Sequence, residues 1–115
     1  MIGSQSGFAE EALFVDCQNF SSGVAKMAQF AQTHPKATVQ EVVKAGVEKN
    51  YTLLNKFPDL KQLVTYAAEM VTSVQGKQYR PEQHEEGSFA LCVQSSGNVT
   101  LMNETLKKIL NVKEI

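Results

Sequence analysis

Two cysteines, two histidines and a few paired carboxylates are the side chains through which this chain could do chemistry. Cys17 and Cys92 stand 75 positions apart, a spacing that excludes a CxxC redox motif and any multi-cysteine zinc site. The count fits one disulfide or two buried thiols, and composition does not decide between them. His34 precedes Pro35, where a solvated or helix-capping imidazole is the ordinary reading. His84 lies in Glu82-Gln83-His84-Glu85-Glu86, but adjacent helical residues point in different directions, and a metal needs ligands at i, i+3 or i+4. No metal site is therefore expected. The neighbouring pairs Glu10, Glu11 and Glu85, Glu86 read as a solvated face and not as carboxylates set across a cleft. No nucleophile elbow, phosphate loop, dinucleotide fingerprint or HExxH motif occurs. The expectation is a protein that is not an enzyme and carries no cofactor.

A second group of motifs is more frequent than chance suggests. Four of the asparagines, Asn19, Asn50, Asn98 and Asn103, open an Asn-x-Ser/Thr triplet, the acceptor pattern for N-linked glycans in secreted proteins. The sequence offers no explanation for the excess.

The elements that must position these groups read as helices. Leu13, Cys17, Phe20, Val24, Met27, Ala28 and Ala31 share one stripe of a helix running from about Phe8 to Thr33, which His34-Pro35 ends. Thr38 and Glu41 have capping-box spacing. Behind them Val39, Val42, Val43, Val47, Tyr51 and Leu54 form a second stripe, interrupted by Gly46 and ending near Lys56. Pro58 suits a first turn, and Leu60, Leu63, Val64, Ala67, Met70, Val71 and Val74 follow a 3.6 period to Gly76, a natural C-cap. Pro81 opens a fourth helix with Glu82, Glu85 and Glu86 near its positive end, and Phe89, Cys92 and Val93 share a face. Ala90 to Val93 also admits a short strand. After Ser95-Ser96-Gly97-Asn98, a short closing helix carries Met102, Leu106, Ile109 and Leu110.

The fold class is therefore all-α, a compact bundle of about five helices. Each cysteine falls on the apolar stripe of its own helix, so both face one core, and a Cys17 to Cys92 disulfide is expected. Both lie too deep for thiol catalysis. Residues 1–7 read as a disordered or cloning-derived tail and residues 8–115 as one helical domain.

Composition bounds the rest. The chain has 115 residues, 43% hydrophobic and 20% charged, ordinary for a folded globular domain. Lys plus Arg number 11 against 12 acidic residues, and Arg80 is the single arginine, so no basic face exists to hold nucleic acid. No apolar run is long enough to span a membrane. A protein partner is expected, a second copy of the chain included. Tyr and Arg dominate many interfaces, and loops on a rigid scaffold present them. That singles out the stretch from Gly76 to Glu86, with Gln78, Tyr79, Arg80, Gln83, His84, Glu85 and Glu86 as candidate contacts.

The order of features (Asp16-Cys17-Gln18-Asn19-Phe20, the capped Thr38 to Glu41, Gln78-Tyr79-Arg80-Pro81-Glu82-Gln83, then Phe89-Ala90-Leu91-Cys92) resembles small two-cysteine helical periplasmic proteins of Gram-negative bacteria. Among these are immunity proteins against peptidoglycan-degrading toxins delivered by type VI secretion. The likeness covers residues 17–92, and the helix after Cys92 lies outside its pattern. It implies a periplasmic, disulfide-bonded inhibitor that occludes a toxin's active site, with its signal peptide absent here. Reduced cysteines would instead imply the cytoplasm. Two alternatives are a periplasmic acid-stress chaperone and a small apolar-ligand carrier with a cavity lined by Met27, Phe30, Leu63 and Met70.

Overall fold

A computed structural model describes residues 12–114, and among these the chain is all-α, with five α-helices and two short 3-10 stretches. The expected tail at residues 1–7, and residues 8–11 of the expected first helix, lie outside the described residues.

Helix α1 (Cys17–Thr33) begins nine residues later than the apolar stripe suggests. Asp16 accepts from the Asn19 amide at 2.9 Å and so caps α1 at its N-terminus. Residues 12–16 are extended instead of helical. They pair with the turn after the fourth helix: Phe14 bridges Asn98, the Val15 amide donates to Gly97 at 2.9 Å, and the Val99 amide donates to Leu13 at 3.0 Å. Leu13 still packs on the core, which is why it fits the helical stripe without belonging to the helix. At the other end the His34 amide donates to the Phe30 carbonyl, and the imidazole stacks on the Phe30 ring at 4.1 Å. His34 thus caps the helix.

Thr38 and Glu41 form the full capping box of α2 (Val39–Val47): the Glu41 amide donates to Thr38 Oγ1 at 3.1 Å, and the Thr38 amide donates to Glu41 Oε1 at 2.8 Å. The α geometry stops at Val47, not near Lys56, because Glu48 takes a left-handed φ of 53° and the chain continues as a 3-10 helix, Glu48–Lys56. The break follows a close helix crossing. A Cβ on Gly46 would collide with Met27 Cγ and lie 3.0 Å from the Gly23 carbonyl, so a glycine is required where α2 crosses α1.

Helix α3 (Pro58–Thr72) opens on proline and ends before the expected Gly76 cap. Ser73 ends it instead: its hydroxyl donates to the Met70 carbonyl at 2.7 Å and accepts from the Gly76 amide at 2.9 Å. Val74, counted in the apolar stripe, is 83% exposed because the helix has already stopped. A 3-10 turn, Gly76–Gln78, leads to α4 (Pro81–Gln94), whose Arg80 amide donates to Gln83 Oε1 at 2.8 Å.

The inner face of α4 is rotated from the one expected. Cys92 is fully buried, but Phe89 is 42% and Val93 54% exposed, while His84, Ser88, Leu91 and Ser95 turn inward. The Cys17–Cys92 disulfide, with Cα atoms 5.5 Å apart, holds α4 against α1 through the side carrying these smaller and polar residues. Residues 90–93 are helical and not a strand. Helix α4 ends in a Schellman motif: the Gly97 amide donates to the Cys92 carbonyl and the Ser96 amide to the Val93 carbonyl, with Ser96 left-handed at φ 53°. Gly97 is also left-handed, and a Cβ there would sit 2.6 Å from the Val15 carbonyl. Asn98 then caps α5 (Val99–Glu114) by accepting from the Leu101 amide at 3.0 Å.

Helix α1 packs against α2, α3 and α4, while α5 packs mainly on α3. The core is filled by Met27, Leu63, Met102, Val42, Val43 and Val71. Consecutive helices α4 and α5 rest on different partners, and a groove opens between them.

Two stability outcomes follow. Gly46→Ala, which in an ordinary helix interior would stabilise by about 1 kcal/mol, should here destabilise by about 1 to 3 kcal/mol through overpacking against Met27. Urea unfolding reads the sign directly. The double variant Cys17→Ala, Cys92→Ala should lose up to about 4 kcal/mol, the chain-entropy value for a loop of this length, and an unchanged midpoint would contradict it.

Candidate functional site

The link between α3 and α4 is short and tied down from both sides. Gln32 on α1 donates from Nε2 to the Tyr79 carbonyl at 2.6 Å, and Lys77 reaches the Pro35 carbonyl at 3.5 Å. From α4, His84 Nε2 lies 2.7 Å from the Gly76 carbonyl. A carbonyl can only accept, so Nε2 is the donor of this bond. The Tyr79 ring meets the His84 ring edge to face, with centroids 5.9 Å apart. These contacts fix the backbone of Tyr79 while its side chain stays 50% exposed. Ordered backbone with exposed aromatic surface is the arrangement that binds a partner at little entropic cost.

Three of the seven candidate contacts, Tyr79, Gln83 and His84, come together at the mouth of the groove between α4 and α5. Gln78, Arg80, Glu85 and Glu86 do not border it and are exposed on other sides of the segment. Arg80 lies 4.0 Å from Glu82, both well exposed, a pair of little energetic weight. The groove holds about 300 Å³. Its floor is Phe20 and Val24 of α1 with Met70 and Val71 of α3, and its walls are Leu91 of α4 and Leu106 and Ile109 of α5. The surface is apolar except for Ser88 and the end where Tyr79, Gln83 and His84 gather.

Sequence reasoning did not find this groove. Its signal is Gly87-Ser88 in the middle of α4: a Cβ on Gly87 would meet nothing within 4 Å, so the small residues border open space and not a tight crossing. The cavity expected from Met27, Phe30, Leu63 and Met70 does not form as such. Met27 and Leu63 are buried filler in the core, Phe30 borders a shallow hollow beside His34, and only Met70 reaches the groove.

Among the described residues no three His, Cys, Asp or Glu side chains are grouped so as to hold a metal ion, and no helix is long and apolar enough to cross a membrane. Comparison with protein-family models, curated proteins and solved structures finds no match to this chain. The geometry itself must therefore carry the functional reading.

His84 is the hinge pin of the segment. His84→Ala removes the bond to Gly76 and the edge contact with Tyr79, and should cost about 1 kcal/mol, because the buried Gly76 carbonyl keeps only the Tyr79 amide, at 3.2 Å, as a partner. Limited proteolysis should then cut between residues 76 and 80 faster than in the parent chain, at a condition where both remain folded by circular dichroism.

Proposed function

We propose that this is a non-catalytic binding protein of an oxidising compartment, which presents the α3–α4 segment to a protein partner. The observation that carries the reading is the anchoring of that segment. Two cross-element hydrogen bonds hold its backbone, at Gly76 and at Tyr79, the Lys77 side chain adds a third contact to Pro35, and Tyr79 and Arg80 stand out from it. The disulfide joining α1 to α4 supports the choice of compartment, since such a bond persists where thiols are not kept reduced.

In its specific form the reading is a periplasmic immunity protein that inhibits a secreted peptidoglycan-degrading toxin by occluding its active site. The support is the resemblance across residues 17–92 together with a rigid protruding segment, the feature that cleft-blocking inhibitors use. A hydrolase encoded beside this chain's gene is the partner to test. Tyr79→Ala and Arg80→Ala should each weaken the complex by more than about 1 kcal/mol, roughly fivefold or more in Kd, if either is an anchor. Calorimetric titration of the disulfide-bonded chain against the hydrolase measures it. Unchanged affinity in both variants, with folding intact, removes the segment from the interface.

The apolar groove favours a second reading, a carrier of a small apolar ligand, because its volume is at the lower end of known ligand sites and most of its polar groups gather at one end. Native mass spectrometry of the freshly purified chain separates the two, since a carrier retains a bound small molecule and an inhibitor does not.

A further inference from the structure

The fold sorts the four Asn-x-Ser/Thr triplets, and it disables three of them. In Asn19-Phe20-Ser21 the serine is buried at 2% exposure, with its hydroxyl turned to the Gln18 carbonyl at 3.2 Å. In Asn98-Val99-Thr100 the asparagine oxygen is spent capping α5, and its backbone lies in the bridge to Phe14. In Asn103-Glu104-Thr105 the amide nitrogen donates to the Asp59 carbonyl at 3.0 Å, and Oδ1 is buried. Asn98 is held by its cap and its backbone pairing and is not free to enter a transferase, an oligosaccharide on Asn103 Nδ2 would crowd the contact with Asp59 between α3 and α5, and Asn19 lacks an accessible hydroxyl partner.

Asn50-Tyr51-Thr52 is different in every respect. Asn50 and Thr52 are both exposed, and among the described residues neither side chain takes part in a hydrogen bond. The triplet lies within the 3-10 stretch Glu48–Lys56, two residues after the left-handed break at Glu48. A 3-10 helix has poorer hydrogen-bond geometry than an α-helix and opens locally at lower cost, as an acceptor loop must to enter a transferase. Tyr51 between them stays half-buried, its hydroxyl on Gln40 at 3.2 Å and Lys44 over its ring, so the segment keeps its anchor while its outer side chains stay free. Asn50 borders a hollow beside Gly23 and Gly46, and apart from Phe20 that hollow shares no residue with the α4–α5 groove.

We propose that Asn50 is an acceptor site for an N-linked glycan, and that it alone among the four triplets accepts one in the folded chain. The donor is an oligosaccharide carried on a polyprenyl pyrophosphate. In the transfer, Asn50 Nδ2 attacks C1 of the first sugar, the C1–N bond forms as the C1–O bond to pyrophosphate breaks, the polyprenyl pyrophosphate leaves with the bonding pair, and the amide loses one proton to a base. Nothing is oxidised or reduced. The proposal rests on the oxidising-compartment part of the reading above and not on the identity of the partner.

The test incubates the folded, disulfide-bonded chain with a single-subunit oligosaccharyltransferase and its polyprenyl-pyrophosphate oligosaccharide, alongside the same chain reduced and unfolded. Intact mass should rise by one oligosaccharide in the folded sample, and peptide mapping should locate it on Asn50. Asn50→Gln and Thr52→Ala should each abolish the shift, the second while leaving the asparagine in place. The unfolded sample should gain further oligosaccharides at other triplets. No transfer to Asn50 in the folded chain overturns the proposal, as does transfer to Asn19, Asn98 or Asn103 in that sample. Thiol titration of chain exported to an oxidising compartment keeps the two questions apart. Free thiols there count against the compartment, and a formed disulfide with a bare Asn50 counts against the glycan site alone.

Discussion

Helix α1 has neighbours on three sides, and most of the architecture answers to that one constraint. A helix so enclosed must be thin where others cross it, and α1 is thin at Gly23, Ser21, Ala28 and Ala31. At the crossing with α2 the thinning is reciprocal, since Gly46 faces Gly23 and Met27 fills the space beside them. The cost of that fit appears one residue past Val47, where the chain leaves α geometry through a left-handed Glu48. On another side the disulfide brings α4 to α1 at a fixed point, and the shape of α4 is subordinate to it.

The groove is a product of the same arrangement. With α4 committed to α1 and α5 to α3, the two helices that follow each other in sequence do not cover each other's apolar residues, and Leu91, Leu106 and Ile109 are left facing a gap. Tyr79 and His84 close one end because the link between α3 and α4 is pulled toward the C-terminal end of α1 by Gln32. The exposed Tyr79 segment and the groove are therefore not separate inventions of the chain; both follow from how α4 is hung.

The helices themselves are legible from spacing, and so is the pairing of Cys17 with Cys92, because burial on a helix leaves a 3.6 period that survives without the structure. Where the reading departs from the fold, a local interaction outweighs the pattern. Leu13 keeps helical register with Cys17 yet lies in an extended segment, because Asp16 caps α1 only after it and the Val99 amide donates to its carbonyl. Val74 continues a stripe whose helix Ser73 has already ended. On α4 the larger apolar residues, Phe89 and Val93, suggest the wrong face, since a covalent bond and not apolar area orients this helix. Of the candidate contacts, Tyr79, Gln83 and His84 are found together, whereas the groove they border leaves only the small pair Gly87-Ser88 as a mark in the sequence, because its lining comes from four helices.

The covalent loop closed by Cys17 and Cys92 contains α1 to α4 and excludes α5. Inside the loop the crosslink narrows the unfolded ensemble and so raises the cost of opening; outside it, α5 draws no such benefit. It is held by Met102 and Leu106 against the core, by Asn103 on Asp59, and by the Leu13 to Val99 bond at its root. The molecule is thus a crosslinked ring with one helix outside it. That helix is the wall that carries Leu106 and Ile109, so the crosslink bears on the other sides of the groove and on the Tyr79 segment, while this wall is held by packing and hydrogen bonds alone.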